Sequence, residues 1–282
     1  MPCIGGVSVP LVTLNEILPQ ARRDGYAVAA FNVANLETLY SVVRAARAEN
    51  SPLIVQVYQR LFEDDRAELI GVMARRLAEQ SDAPMALHLD HGGTLDRVKQ
   101  ALDIGYTSVM IDGSALPFEE NIALTSQAAA LAHAAGATLE AEIGHVPFGD
   151  GEVKLSDAAE AAQFARQTKV DALAVSIGTA HGFYKKAPKL DIARAAQIGQ
   201  SVPIPLVLHG GTGVSDEQLL SAITCGVAKI NIATELQNLF IRGAAGEIER
   251  NGDNFKPVDV YLKPVEAQLF DYARAKIRTL RR

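Results

Sequence analysis

Three histidines occupy positions from which they could bind a metal ion. His91, His181 and His209 each lie at or just beyond the end of a short apolar run of the kind that forms a buried strand. Imidazole nitrogen is a good ligand for Zn²⁺, and catalytic zinc sites keep three protein ligands and leave one position open for substrate. A single such histidine is more often structural, but three at equivalent positions favour a zinc site.

Carboxylates accompany these histidines. Asp90 directly precedes His91 in "HLDH", so a potential acid or base lies beside a potential metal ligand. Asp112 and Glu142 also end apolar runs, and either could orient a metal ligand or offer the metal a second position. His88 lies two residues before Asp90 on the same strand face, so we expect it to orient Asp90 or a metal ligand.

Segments containing glycine predict an anion-binding site. The stretches "HGGTGVS" (209–215) and "NIATE" (231–235) each lead from an apolar run into a helical pattern. Glycine lets the backbone approach a ligand closely, and the free N–H groups at a helix start favour phosphate. "GTAHGFYK" (178–185) adds Gly182 and Lys185, although Lys185 could equally be a solvated loop lysine.

The elements that would position these groups alternate regularly. Amphipathic helical stretches separate eight apolar runs, and Asn35, Asp64 and Ser215 are the predicted N-caps of three helices. We predict strands over residues 26–33, 52–58, 84–90, 108–112, 138–144, 171–178, 204–211 and 227–234. This count favours a (β/α)8 TIM barrel of α/β class in one domain, residues 1–282, whose strand ends converge on one face. A doubly wound sheet is disfavoured because the first run lacks a glycine fingerprint.

Composition sets the broad class. The chain has 282 residues, 48% of them hydrophobic and 21% charged, which is ordinary for a soluble globular protein. A net charge of −6 without long runs of one sign gives no indication of nucleic acid or an anionic membrane as partner. Two cysteines cannot form a disulfide framework, and we find neither a membrane-spanning stretch nor a leader pattern, so we expect a cytoplasmic protein.

The sequence resembles one family over nearly its whole length. The segments "GYAVAAFNV", "HLDH", "SVMIDGS", "EAEIG", "GTAHGFYK", "PLVLHGGTG" and "KINIATEL" follow in the order and spacing of the class II, zinc-dependent fructose- or tagatose-bisphosphate aldolases. The resemblance implies a barrel that forms a homo-oligomer, a dimer or tetramer. It also implies cleavage or formation of a ketose phosphate through dihydroxyacetone phosphate, in carbohydrate metabolism such as glycolysis. The substrate would be fructose or tagatose 1,6-bisphosphate or a related ketose 1-phosphate.

The resemblance also implies roles for single residues. The three histidines match the zinc ligands, and Asp90 matches the acid/base that handles the C4 hydroxyl. Asn32 matches a residue near the enediolate, and Asp112 and Glu142 match positions where the metal lies when it withdraws. The residues that match positions binding dihydroxyacetone phosphate, or adjoin them, are Gly182, Lys185, Gly210, Gly211, Thr212, Asn231, Ala233 and Thr234.

The loop after the fifth strand departs from the family pattern. The family commonly has there a Glu that moves the C3 proton, in a longer loop. By spacing, this chain has Asp150 at that position, with Glu152 two residues later. We therefore predict that Asp150 or Glu152 is catalytic.

Two further departures concern the second half of the substrate. Tyr58 stands where a Ser near the phosphate is common. Asp259 stands where the family often has an Arg that grips the second phosphate. A carboxylate there would repel phosphate, which predicts no strong preference for a phosphorylated aldehyde, unless Lys256 or Lys263 supplies the contact.

Three other functions compete with a zinc aldolase. Lys229 lies two residues before Asn231 on a predicted strand, so it could face the barrel interior and form a Schiff base with a ketone. A metal-dependent sugar-phosphate epimerase or isomerase would use the same metal and anion sites. A non-catalytic sugar-phosphate-binding protein would keep the sites without turnover.

Overall fold

Eight parallel strands close into a barrel. The computed structural model describes residues 11–147, 151, 153–183 and 188–282. Each strand pairs in parallel with its neighbours in sequence, and the last pairs with the first. The strands are β1 (Val28–Asn32), β2 (Leu53–Tyr58), β3 (Met85–Gly92), β4 (Ser108–Ile111), β5 (Thr138–Ile143), β6 (Ala172–Val175), β7 (Leu206–Leu208) and β8 (Val227–Ile232). The predicted (β/α)8 barrel is therefore confirmed.

Helices follow the strands and cover the barrel. Those described are α1 (Leu18–Asp24), α2 (Leu36–Ala48), α3 (Arg66–Ala78), α4 (Leu95–Asp103), α5 (Phe118–Ala134), α6 (Ala158–Thr168), α7 (Ile192–Ser201), α8 (Asp216–Ile223), α9 (Thr234–Asn251) and α10 (Val258–Leu280). The side chains of Asn35 and Ser215 cap α2 and α8 as predicted. The prediction of Asp64 as an N-cap was wrong, because α3 begins one residue later and Asp65 is its N-cap. The Asp64 carboxylate still accepts the Arg66 backbone N–H at 3.0 Å.

Most strands are shorter than predicted, because their apolar runs continue into the loops that follow. The exception is β3, which extends to Gly92 and contains a register shift against β4 between Leu89 and Gly92. Within this irregular stretch His91 has φ +53°, a left-handed conformation that is uncommon outside glycine. The Met110 carbonyl oxygen would lie 2.5 Å from a Cβ on Gly92, so β4 approaches too closely for a side chain there.

The barrel interior changes character along its axis. At the N-terminal end, small and branched side chains such as Ala30, Ile54 and Ala86 form an apolar cluster with residues of α1 and the segment before it. A larger apolar cluster lies between the strands and the outer helices. Towards the C-terminal ends of the strands the buried interior residues become polar, including Gln56, Glu140, Glu142, Lys229 and Asn231. These groups lie at the face where barrel enzymes build their sites.

Candidate active site

A cavity of about 400 Å³ lies at the C-terminal ends of the strands. It is lined from several strands and their following loops, and from α9. The residues that line it are Asn32, Tyr58, Arg60, Asp90, His91, His181, Gly182, Phe183, Gly210, Thr212, Asn231, Ala233, Thr234, Gln237, Asn238 and Ile241. Many of the residues predicted from the sequence are thus brought to one cavity.

The irregularity in β3 places Asp90 and His91 in the same cavity. Successive residues of a regular strand point to opposite faces of the sheet, so two neighbours would not normally reach one site. The left-handed conformation of His91 and the adjoining register shift alter this alternation, and both residues line the cavity. Such unusual backbone conformations often occur at functional sites.

The three histidines lie together, and two of them, His91 and His181, line the cavity. His209 Nδ1 lies 2.9 Å from His91 Nε2, and the ring centroids of His91 and His181 are 4.9 Å apart. One ligand nitrogen from each of His91, His181 and His209 lies within 4.8 Å of the other two. His209 directly follows β7, whereas His181 follows β6 at the end of a longer loop, where its backbone N–H donates to the Pro147 carbonyl at 2.7 Å.

Carboxylates hold the outer nitrogens of two of these rings. Asp112 Oδ2 lies 2.8 Å from His91 Nδ1, and Glu140 Oε1 lies 2.8 Å from His209 Nε2. Histidines that bind metals commonly donate their second ring N–H to a carboxylate, which fixes the tautomer and leaves the other nitrogen for the metal. The donor set therefore fits a metal ion, with His91 Nε2 and His209 Nδ1 as ligand atoms.

A second set of candidate ligands adjoins the first. His91, Asp112 and Glu142 also offer atoms within 4.8 Å of one another. Glu142 Oε1 accepts the Val146 backbone N–H at 3.0 Å, while its buried Oε2 has no hydrogen-bond partner among the described residues. A buried carboxylate oxygen without a donor fits a site that can receive a cation. Asp112 is already bonded to His91 and Ser114, so its clearest role is to orient His91.

Burial and mutual charge separate the pKa values in this cluster. Burial, and then the positive charge of His91, lowers the pKa of His181 to about 4. Burial also takes the pKa of His209 well below its ordinary value, again with a contribution from His91. For His91, burial is outweighed by the Asp90 charge and the Asp112 hydrogen bond, and the pKa rises to about 9. Burial and the charge of Asp112 raise the pKa of Glu142 to about 8.

Two amides hold the Asp90 carboxylate. Asn32 donates to Asp90 Oδ2 at 2.7 Å, and Asn231 donates to Oδ1 at 3.3 Å. Gln56 in turn donates to Asn32 Oδ1 at 2.9 Å, which fixes the orientation of that amide. Burial alone would raise the pKa of Asp90, but the nearby positive charge of His91 and others outweighs it, so the pKa is lowered. Asp90 is thus a buried, oriented carboxylate in its ionised form.

A buried ion pair lies beneath the histidines. Lys229 Nζ is 2.7 Å from Glu140 Oε2 and donates to Asn231 Oδ1 at 2.9 Å. Lys229 therefore faces the barrel interior as the sequence indicated, but its ammonium is engaged. The sequence predicted that His88 orients Asp90 or a metal ligand, and the first of these is wrong, because its Nδ1 lies 2.7 Å from Ser108 Oγ. Its Nε2 is 3.7 Å from Glu140, so it adjoins the group that holds His209.

Loops after β7 and β8 form a cradle of backbone groups. Gly210 and Thr212 line the cavity, as do Ala233 and Thr234 at the start of α9. A Cβ on Gly211 would lie 2.7 Å from Ile230 Cγ2 and 2.9 Å from the Asn231 carbonyl oxygen, so the loop after β7 packs against β8 more closely than a side chain would allow. The arrangement suits a phosphate, since backbone N–H groups at a helix start attract anions.

Other sequence predictions fall elsewhere. Asp150, Glu152 and Lys185 lie outside the described residues. Asp259 is exposed in the first turn of α10 and does not line the cavity within this chain, and neither do Lys256 and Lys263. His145, for which the sequence indicated no role, lies 3.1 Å through Nδ1 from Ser114 Oγ.

Several residues of the site were missed in the sequence, among them Glu140, Gln56, Arg60 and the α9 residues Gln237, Asn238 and Ile241. Glu140 is two positions before Glu142, so strand alternation places both on the interior face, and this spacing could have revealed it. Gln56 lies inside the apolar run "LIVQVY", where a buried amide requires a partner. Arg60 follows β2 in a loop and left no recognisable signal.

Comparison with known proteins agrees with this geometry. The model of the family "Fructose-bisphosphate aldolase class-II" matches residues 12–282. The chain belongs to this family. Within it, the chain is an aldolase, a carbon–carbon lyase, and the family is generally metal-dependent, in keeping with the histidine and carboxylate clusters.

Individual class II aldolases resemble the chain along most of its length. A 6-phospho-5-dehydro-2-deoxy-D-gluconate aldolase of Bacillus velezensis is 38% identical over 274 residues, which cover 95% of this chain and 94% of that protein. The crystal structure of the YdjI aldolase from Escherichia coli K12 has a TM-score of 0.85 and 34% identity, over 96% of this chain and 97% of that one. Fructose-bisphosphate aldolase from Campylobacter jejuni, at 23% identity, has a TM-score of 0.84 over 97% and 96% of the two chains and shows the same fold.

Proposed function

We propose that this class II aldolase is zinc-dependent and cleaves a ketose phosphate to dihydroxyacetone phosphate and an aldehyde, or runs the reverse condensation. The observation that carries this proposal is the cluster of His91, His181 and His209, whose ligand nitrogens lie within 4.8 Å of one another beside Asp90. These three histidines would hold the ion. Bound zinc would supply Lewis-acid polarisation of the ketone oxygen.

Asp90 handles the proton of the breaking bond. In cleavage the carboxylate takes the proton of the C4 hydroxyl, the C3–C4 bond breaks, the aldehyde leaves, and the bonding electrons remain on C3. In condensation Asp90 returns that proton to the new hydroxyl. The ionised state of Asp90 and the amides of Asn32 and Asn231 that orient it suit this role.

The remaining groups complete the reaction. The backbone cradle after β7 and β8 binds the phosphate of the dihydroxyacetone half, with Gly182, Gly211 and Thr212 close to it. A carboxylate of the loop after β5, Asp150 or Glu152, delivers a proton to C3 after cleavage and removes it before condensation. This assignment depends on the sequence pattern, since both positions lie outside the described residues.

The substrate need not be a bisphosphate. The Bacillus velezensis relative is named for a phosphorylated keto acid, and this chain lacks the Arg that often grips a second phosphate. We propose a ketose 1-phosphate or a comparable phosphorylated keto sugar, with fructose and tagatose 1,6-bisphosphate as the comparison substrates. The ion pair of Lys229 with Glu140 argues against a Schiff-base mechanism, because a paired ammonium is a poor nucleophile.

We also propose that the enzyme is a cytoplasmic homo-oligomer, a dimer or tetramer. No helix among the described residues is both long and apolar enough to cross a bilayer. Apolar side chains are exposed on α9, on the segment that joins it to α10, and at the start of α10, where Ile241, Phe255 and Val258 are 64%, 89% and 72% exposed. A second copy of the chain would cover this surface. Light scattering after chromatography tests it, with Phe255→Asp expected to favour the monomer.

A coupled assay for released dihydroxyacetone phosphate tests the proposed reaction. We expect turnover of at least one ketose phosphate, loss of activity on chelation and recovery with Zn²⁺. Turnover also separates the aldolase from an epimerase, an isomerase and a non-catalytic binding protein. Retained activity after complete metal removal, or substrate trapped covalently by borohydride, would contradict the zinc mechanism.

A further inference from the structure

One arginine lines the active-site cavity. Among the described residues around that cavity, Arg60 is the only lysine or arginine. It lies in the short 3₁₀ turn Gln59–Phe62 that directly follows β2, and its side chain is exposed at the mouth. An arginine at this position brings a fixed positive charge and a planar set of N–H donors to the cavity.

Among the described residues, an aromatic ring and not a counter-ion holds the Arg60 guanidinium. Arg60 Cζ lies 5.0 Å from the centroid of the Tyr58 ring, and that ring is 6.0 Å from the ring of His91. Within the described part of the chain, the Arg60 side chain makes no hydrogen bond or ion pair. Two other arginines near this turn are occupied, since Arg66 pairs with Asp64 at 2.8 Å and Arg97 donates to the Phe62 carbonyl at 2.5 Å.

Arg60 lies on the side of the cavity where the proposed reaction places the aldehyde half of the substrate. Tyr58 pairs in register with Asp90, the residue that handles the C4 hydroxyl in the proposed reaction. The phosphate of the dihydroxyacetone half already has the backbone cradle after β7 and β8. The Arg60 guanidinium stacks on Tyr58, the strand neighbour of Asp90, and no described residue pairs with it, so it is available to an anionic group further along the aldehyde.

On the basis of the proposed function, we propose that Arg60 selects an aldehyde that carries a terminal carboxylate. A guanidinium fork matches a carboxylate in shape and balances its single charge, with two parallel N–H···O bonds. A terminal phosphate carries close to two charges, and the described lining residues offer no second lysine or arginine for it. Tyr58 is the positioning residue, because its ring holds the guanidinium over the cavity.

Condensation with matched aldehydes tests this assignment. Dihydroxyacetone phosphate is combined with succinic semialdehyde, butanal, glyceraldehyde 3-phosphate or glyceraldehyde, and kcat/KM is measured for each. We expect wild-type enzyme to prefer succinic semialdehyde to butanal. Arg60→Met should reduce this preference by about tenfold, a modest factor because solvent weakens an exposed ion pair. Arg60→Lys should retain part of it, and Arg66→Met should leave it unchanged.

A second measurement separates the two halves of the substrate. Exchange of tritium from water into dihydroxyacetone phosphate needs no aldehyde, so Arg60→Met should exchange at the wild-type rate. Reduced exchange in that variant would overturn the inference, because Arg60 would then serve the phosphate half or the fold. Two outcomes with normal exchange would overturn the inference and leave the proposed function standing. In the first, wild-type enzyme does not prefer succinic semialdehyde to butanal. In the second, its only preference is for glyceraldehyde 3-phosphate over glyceraldehyde. Wild-type enzyme without exchange or condensation would overturn both.

Discussion

His209 Nδ1 and His91 Nε2 lie 2.9 Å apart, although 118 residues separate them in the chain. Each ring is held from behind by a carboxylate, His91 by Asp112 and His209 by Glu140, both at 2.8 Å. The two nitrogens therefore face a common point with little freedom to turn. The pKa of His91 is raised to about 9 and that of His209 is lowered, so a single proton joins the two nitrogens in a hydrogen bond. A cation ligated by both nitrogens would take the place of that proton.

Asp112→Asn should weaken zinc binding by about 10- to 100-fold, because the amide no longer holds the His91 tautomer as a carboxylate does. Metal content after dialysis and competition with a chromophoric chelator measure the change. His209→Ala should lose the metal, since it removes a ligand. Ser114→Ala is the matched control and should have a smaller effect, because it removes only one donor to Asp112. Equal affinity in Asp112→Asn and wild type would contradict the role of Asp112.

Asp90→Ala should retain zinc and lose cleavage activity by at least ~10²-fold, the usual size of a general acid–base contribution. Dihydroxyacetone phosphate release and metal content are measured on the same preparation. Asp103→Asn, at an exposed carboxylate at the end of α4, serves as the control and should leave both unchanged. Cleavage by Asp90→Ala at the wild-type rate would show that another group moves the C4 hydroxyl proton.

Lys229→Met should destabilise the metal-free protein by about 3 kcal/mol, because it leaves the buried Glu140 carboxylate without its cation. The double variant Lys229→Met/Glu140→Gln should recover part of the loss, since the uncompensated charge is then gone. Urea unfolding monitored by circular dichroism gives the free energies. A Lys229→Met variant as stable as wild type would show that the ion pair between Lys229 and Glu140 does not stabilise the fold beneath the histidines.

One of the loop variants Asp150→Ala and Glu152→Ala should exchange the C3 proton of dihydroxyacetone phosphate much more slowly than wild type. The reason is that the sequence pattern predicts a carboxylate of this loop as the group that moves the proton. Incorporation of tritium from water measures the exchange. Normal exchange in the double variant would refute the role of both residues.

Glu49→Gln should lower stability by about 0.5–1 kcal/mol near neutral pH, because the Glu49 carboxylate, at the end of α2, pairs with Arg274 and Arg278 of α10. These hydrogen bonds lower the pKa of Glu49 in the folded protein. Its stabilisation is therefore present above the ordinary carboxyl pKa and is lost as the pH falls through the lowered folded value. The free energies of unfolding of wild type and Glu49→Gln, measured as a function of pH, should become equal in acid. A constant difference between them at all pH values would show that ionisation of Glu49 does not contribute to stability.

Strand number, strand order and most of the site were accessible from the sequence because each depends on local pattern. Buried parallel strands appear as short apolar runs, and the polar residue that ends each run lies at the converging face of a barrel. His91, His209, Asp90 and Asn231 could be found in this way. His88 illustrates the limit, because strand alternation gave its face correctly but could not identify Ser108 as its partner.

The sequence by itself determined a (β/α)8 barrel with histidines, carboxylates and glycine loops at one end. Only the tertiary structure decided how those groups are used. The left-handed backbone of His91, which brings adjacent residues into one cavity, depends on pairing with β4. The engagement of Lys229 by Glu140, and the stacking of Arg60 on Tyr58, depend on distances between different strands and loops. Local pattern fixes which face a side chain takes, whereas its partners are set by the packing of segments far apart in the chain.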